Sequence, residues 1–173
     1  MKLNLGCENK ILKGYENIDI VSKKGIKVWD LNKFPYPYKD NSIEKVLMEH
    51  TLMFLEKPLK VMKELHRICI NGAVIEIIVN HHSHFNNFTD LKQKVSFSYF
   101  TFGEQWTNKE LYSLFRVFNK RFNFNRTNYK WMNVIMNPII NSIPIFYERF
   151  LCNIIPCSEL IFQMDVIKKG VAE

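Results

Sequence analysis

The chain has 173 residues, 47% of them hydrophobic and 24% charged, with a formal net charge of +7. That length suits a single domain with its own core, and the composition is that of an ordinary globular protein. The basic residues are dispersed, the tightest groups being Lys23-Lys24, Lys120-Arg121 and Lys168-Lys169, which argues against a nucleic-acid partner. The four cysteines, Cys7, Cys69, Cys152 and Cys157, form no CxxC pair. The N-terminus reads as a strand and not as a leader, so reduced thiols in a cytoplasmic protein are expected.

In chain order, short apolar runs at 2–5, 17–20, 27–29, 45–48 and 73–79 predict strands. The last, AVIEIIV, is nearly continuous and β-branched, the pattern of a central strand buried on both faces. Ahead of it, Leu59, Met62, Leu65 and Ile68, with Val61 beside them, make an apolar helical stripe. Lys60, Lys63, Glu64 and Arg67 are expected to face out. Pro58 suits the first turn, and Asn71-Gly72 the end. Helix, turn and buried strand make half of a βαβ unit, so the fold class is α/β with a mostly parallel sheet.

The second half is less regular. Its pattern predicts a helix at 108–118, opened by Thr107 or Asn108, and strands at 121–129 and 159–168. Residues 131–156 form an apolar insertion, expected to be part helical. The stretch 131–147 carries no charge but contains Asn133, Asn137, Asn141, Pro138 and Pro144. Those residues and its length exclude a transmembrane helix. A place in the core or at a dimer surface is expected, with a substrate lid and a shallow, peripheral membrane contact as alternatives.

In an open α/β sheet, ligands bind beyond the carboxyl ends of the strands. Four predicted strand ends qualify: Gly6-Cys7-Glu8-Asn9, Asp19, Asp30-Leu31 and Met48-Glu49-His50. A glycine after a strand lets the backbone approach a ligand closely. The Asp19 carboxylate can accept hydrogen bonds from two ribose hydroxyls, and an Asp-Leu pair can meet the edge and face of an adenine. Taken singly, Asp19 and Asp30 read more readily as solvated turn residues.

Together, LNLGCENK, GYENIDI, WDLNKFPYPYKDNSIEKVLMEHTL, KELHRICINGAVIEIIVNHHS and a late YERF…ELIFQM resemble the class I S-adenosylmethionine-dependent methyltransferases. Nearest in kind are the small methyltransferase-domain proteins found with surface-glycan biosynthesis genes. The resemblance is firm over 2–83 and looser to 168. It implies a three-layer Rossmann-like fold, with helices on both faces of a mostly parallel twisted sheet and a late antiparallel strand. It also implies S-adenosylmethionine as cofactor and methyl transfer to a small molecule or a glycan precursor. On that resemblance Leu5, Gly6, Cys7 and Glu8 lie at the cofactor turn, Asp19 and Ile20 at the ribose, and Asp30 and Leu31 near adenine. Glu49 and His50 match the family's Glu-His pair, beside the methionine part and the transferable methyl.

The chain departs from the family pattern in several places. Glu44 replaces the last aspartate of a D-x-S-x-D run, Asn71-Gly72-Ala73 a Pro-Gly-Gly turn, and Asn80 a proline. More seriously, Glu8 stands where a GCG loop has its second glycine. A carboxylate there either crowds the methionine moiety and repels its carboxylate, or pairs with its cationic groups. A non-catalytic binding or partner protein on the same fold is therefore the rival reading. RNA methylation rests only on the basic charge and scattered aromatics.

HHSH places His81, His82 and His84 after the central strand. Adjacent histidines of an extended chain point opposite ways, so His82 and His84 share a side and His81 does not. No carboxylate or cysteine is near in sequence to complete a ligand set, and no metal is expected. His50 and His81 are the candidate bases for a hydroxyl acceptor, His50 reading equally as a structural member of its pair.

Overall fold

The computed structural model describes residues 1–102 and 109–168. The apolar runs form strands β1 (Lys2–Leu5), β2 (Glu16–Asp19), β3 (Ile26–Val28), β4 (Ile43–Glu49) and β5 (Cys69–Asn80), followed by β6 (Phe115–Asn123) and β7 (Glu159–Val166). They make one sheet in the order β3-β2-β1-β4-β5-β7-β6. The first five strands pair in parallel, and β7 runs antiparallel between β5 and β6. The expected α/β sheet with a late antiparallel strand is thus present. Because β7 runs backwards, its first residue lies at the edge where the parallel strands end.

Helix α1 (Pro58–Ile68) packs on the sheet through Val61, Met62, Leu65 and Ile68, each at most 1% exposed. Two of its positions differ from the expected stripe. Leu59 is exposed, and Glu64 is buried. A buried carboxylate is tolerated only when hydrogen-bonded. Glu64 accepts from the Tyr36 amide at 2.9 Å and pairs with Arg67, whose guanidinium also donates to Tyr36 O and Tyr38 O. One helix turn thereby anchors the loop ahead of β4. The chain enters β5 directly after α1, and the residues meant to stop the helix instead lie inside the strand. There Gly72 has φ +74° and the pairing with β4 shifts register. Farther along β5, Ala73, Ile75, Ile77 and Val79 are sealed, but Val74, Glu76 and Ile78 are only half-buried. One face of the strand is fully covered, not both.

The connection between β1 and β2, residues 6–15, contains no helix. Two buried amides hold it instead. Asn4 and Asn17 face each other across the strand pair. Asn4 Nδ2 donates to Asn17 Oδ1 at 2.9 Å and to Lys10 O at 2.7 Å, while Asn17 Oδ1 accepts from the Leu12 amide at 2.9 Å.

The predicted 108–118 helix is replaced by a short helix (Lys109–Tyr112) and the start of β6; its proposed openers, Thr107 and Asn108, lie outside the described residues. A register shift between Val117 and Asn119 interrupts the two-residue alternation of β6 and so hides the strand from a periodicity reading. The strand expected at 121–129 is the end of β6, closing at Asn123.

In the insertion, the ten-residue helix Asn133–Ser142 lies along β6, the last strand of the sheet. Its asparagines, one turn apart, reach the open edge of β6 and the backbone just after it. Asn141 Oδ1 accepts from Phe122 N at 2.8 Å, and Asn141 Nδ2 donates to Phe122 O at 3.0 Å. Asn137 Oδ1 accepts from Phe124 N, and Asn133 bonds both backbone groups of Asn125. The other side of this helix is not core: Val134 is 79% and Ile139 50% exposed, as are Phe146 and Phe150 beyond it. From the insertion, Ile140, Tyr147 and Cys152 join the buried cluster. Among the described residues no helix is long and apolar enough to cross a membrane.

Candidate active site

Gly6 turns the chain out of β1 with φ +67°, and its amide and that of Cys7 both donate to Ile18 O, at 2.8 and 3.0 Å. A Cβ on Gly6 would lie 2.1 Å from Thr51 Oγ1, so glycine is required for space as well as for conformation. Thr51 is the reason. Its hydroxyl donates to Glu49 O at 2.9 Å and lies 3.2 Å from Leu5 O and Gly6 O, tying the ends of β1 and β4 together. Leu5 itself is fully buried and takes part through its carbonyl. Cys7 is 4% exposed, its thiol pushed up by burial and by the nearby Asp19 charge.

Glu8 adopts a left-handed backbone, φ +47°, a conformation that favours glycine. Its amide donates to Asp19 Oδ2 at 2.8 Å, and the Val21 amide donates to Oδ1 at 3.1 Å. Each Asp19 oxygen keeps a lone pair for a further donor. A cavity of about 350 Å³ is lined by Glu8, Asp19, Ile20, Trp29, Asp30 and Leu31, together with Gly6, Glu49, His50 and Thr51. The strand ends nominated by the sequence therefore do come together. The Trp29 Nε1 donor there is buried without a hydrogen-bond partner.

Gly6, Glu8, Glu49 and His50 also line a second cavity of about 670 Å³, together with Asn4, Cys7, Lys10, Arg126, Lys130 and Glu159. The two cavities share that four-residue wall. His50 has φ +48° and its amide donates to Ile78 O. Its Nε2 lies 2.8 Å from Glu159 Oε1, and its Nδ1 is buried and unpartnered. Glu159 is 6% exposed and accepts from Asn123 Nδ2 at 2.7 Å, with Arg126 Nε 3.7 Å away. Burial pushes its carboxyl up, but hydrogen bonds from His50 and Asn123 and the charges of His50 and Arg126 outweigh that and hold it below the usual range. Glu49 pairs with Lys10. Glu159, Thr51, Lys10, Arg126 and Lys130 were not nominated from sequence. The signal that could have found Glu159 is its place at the start of an antiparallel strand after parallel ones.

His81 is not brought to this site. It is 0% exposed and lines neither cavity. Its Nε2 lies 2.8 Å from Glu148 Oε2, and its Nδ1 accepts from the Ser83 amide at 3.1 Å. A base needs contact with its proton donor, so the assignment of His81 as a base is corrected. The expected divergence of His81 and His82 is corrected too. Their ring centroids are 4.1 Å apart, because β5 ends at Asn80 and the chain turns.

The methyltransferase domain family matches residues 16–77. No curated protein sequence matches the chain significantly. An S-adenosylmethionine-dependent methyltransferase from Archaeoglobus fulgidus superposes with a TM-score of 0.65 at 15% identity, over 95% of this chain and 85% of that one. The chain has the class I S-adenosylmethionine-dependent methyltransferase fold. A second methyltransferase of that dependence, from Mesorhizobium loti, gives 0.57 at 10% identity, over 95% and 89%. The cyclase SpnF gives 0.54 at 12%, over 96% and 75%. The methyltransferase fold thus also carries a cyclase, and a fold does not decide a reaction. In this methyltransferase-fold chain the two cavities open where such sheets bind ligands, beyond the carboxyl ends of β1 to β4.

Proposed function

We propose that this chain is an S-adenosylmethionine-dependent methyltransferase acting on a small molecule or a glycan precursor in the cytoplasm. The observation that carries the reading is the shared wall of two cavities, Gly6, Glu8, Glu49 and His50. A ligand filling the smaller cavity reaches the larger one there. The residues fit the cofactor's parts. Asp19 keeps a lone pair on each oxygen for ribose hydroxyls, Trp29 Nε1 awaits an acceptor, and Asp30 and Leu31 offer an edge and a face to a base. At the shared wall Glu49 suits an ammonium, and Lys10, paired with it in the larger cavity, suits a carboxylate, the two charges of an amino-acid tail.

Bound there, S-adenosylmethionine would supply a methyl group on a sulfonium, an electrophile that needs alignment more than activation. Gly6 and Thr51 fix the turn, and Glu159 fixes the His50 ring. For a hydroxyl acceptor, the Glu159–His50 pair is the proton acceptor; an amine or carboxylate acceptor needs less help. Arg126 and Lys130, which also line the larger cavity, suit an acceptor carrying negative charge. The four buried free thiols support a reducing compartment.

Calorimetry with S-adenosylhomocysteine tests the reading, alongside the thermal midpoint, because a ligand selective for the folded state raises it. Binding is expected, and Asp19→Ala should abolish it. No heat and no shift with either the wild type or Glu8→Gly would favour the rival, a non-catalytic protein on this fold. The left-handed Glu8 is the observation behind that rival.

A further inference from the structure

The turn after β5 and the segment before β7 bring together three metal-ligating side chains that the candidate active site does not use. A ring nitrogen from each of His81 and His82 and the Cys152 sulfur all lie within 4.8 Å of one another. His82 Nε2 is 3.6 Å from Cys152 Sγ. Tetrahedral zinc holds nitrogen at about 2.0–2.1 Å and thiolate sulfur at about 2.3 Å, which sets two such atoms about 3.5 Å apart. We propose that His81, His82 and Cys152 bind one zinc-class transition-metal ion, with Glu148 as the carboxylate that orients the imidazoles.

Metal-bound histidines characteristically donate their second ring nitrogen to a carboxylate. Glu148 is in place for both rings: Oε2 lies 2.8 Å from His81 Nε2 and Oε1 3.6 Å from His82 Nδ1. That His82 nitrogen is buried yet makes no hydrogen bond. Nδ1 facing Glu148 leaves Nε2 turned to the sulfur, the division of labour a metal-bound imidazole needs. The backbone is already fixed, since His81 N donates to Ser158 O and His82 N to Phe97 O. Glu148 and Cys152 are one helical turn apart, and the Cys152 thiol donates to Glu148 O. With His81 Nε2 on Glu148, the ion takes Nδ1 in place of its present hydrogen bonds with the Ser83 amide and hydroxyl. Water fills the fourth position, and the Cys152 proton is released on binding. The His82 side chain is 34% exposed and provides the way in. Soft sulfur with two imidazoles favours zinc or cobalt over magnesium or calcium. The ion would clamp the insertion to the end of β5.

The test is a Co²⁺ titration of the chelator-stripped full chain, followed by displacement with Zn²⁺. Expected are one equivalent of Co²⁺, visible bands of tetrahedral cobalt and a near-ultraviolet thiolate-to-cobalt band. Cys152→Ser should remove the near-ultraviolet band, while Cys157→Ser and His84→Ala keep it. Because Cys152 is buried, His82→Ala provides the second arm: Zn²⁺ should raise the thermal midpoint of the wild type and not of this variant. Substoichiometric cobalt, a thiolate band that persists in Cys152→Ser, or an equal zinc shift in His82→Ala would overturn the proposal.

Discussion

Asn141 holds both backbone groups of Phe122, accepting from its amide at 2.8 Å and donating to its carbonyl at 3.0 Å. An edge strand exposes such groups to water and to other chains. Here a helix satisfies them by repeating the same side chain every four residues, with Asn137 at Phe124 and Asn133 at Asn125. The uncharged stretch carries asparagines because one face of its helix must hydrogen-bond a strand. Asn141→Leu keeps similar volume and removes both bonds. A loss of about 1–3 kcal/mol is expected from the orphaned backbone groups, with concentration-dependent aggregation through the opened edge. Urea unfolding and light scattering check it. A loss of only a few tenths would mean that water replaces Asn141 at no cost.

Gly6→Ala should fail for a different reason. The added carbon meets Thr51 at 2.1 Å, on a backbone with φ +67°. Left-handed backbone costs a residue with a Cβ about 1–2 kcal/mol, and overpacking adds about 1–3. The variant should lose a few kcal/mol in denaturant melts and should not bind S-adenosylhomocysteine. Wild-type affinity in this variant would show that the turn is not part of the site.

Glu8→Gly places glycine on a backbone that already has φ +47°. Relief of left-handed strain and the entropy cost of glycine are each about 1 kcal/mol and oppose one another, so stability should hardly change. Binding is the informative readout. Removing a carboxylate that faces the cofactor's own should tighten S-adenosylhomocysteine roughly tenfold, about 1.4 kcal/mol. Weaker binding would instead identify Glu8 as a ligand for the cofactor's cationic groups.

Glu159 should make the fold acid-sensitive. Its carboxyl is held below the ordinary value of 4.5, against burial, by His50, Asn123 and Arg126. The unfolded chain therefore takes up that proton first, so the stabilisation is present above about pH 4.5 and lost as pH falls through the lower folded value. Glu159→Gln should lower the melting temperature near neutrality and narrow the gap to wild type below about pH 4.5. Melting curves of both proteins across that range decide it; a constant gap would show that the carboxylate's charge contributes nothing.

Much of the parallel half of the molecule is legible from local sequence. Strands β1 to β5 and helix α1 are local signals, because apolar periodicity, Pro58 and the glycine after β1 act within a few residues. For the same reason Gly6, Asp19, Asp30 and Glu49 could be nominated as strand ends. What depends on distant partners emerges only from the fold. Glu64 reads as a surface residue until Tyr36 and Arg67 supply its hydrogen bonds. Glu159 joins His50 only because β7 runs antiparallel, and that direction is not written in the composition of ELIFQMDV. His81 reads as a candidate base in the sequence because the segment that buries it, with Glu148 and Cys152, lies some 70 residues later in the chain. Periodicity reports which face a residue occupies, whereas hydrogen-bond partners and charge pairs depend on which segments the fold brings together.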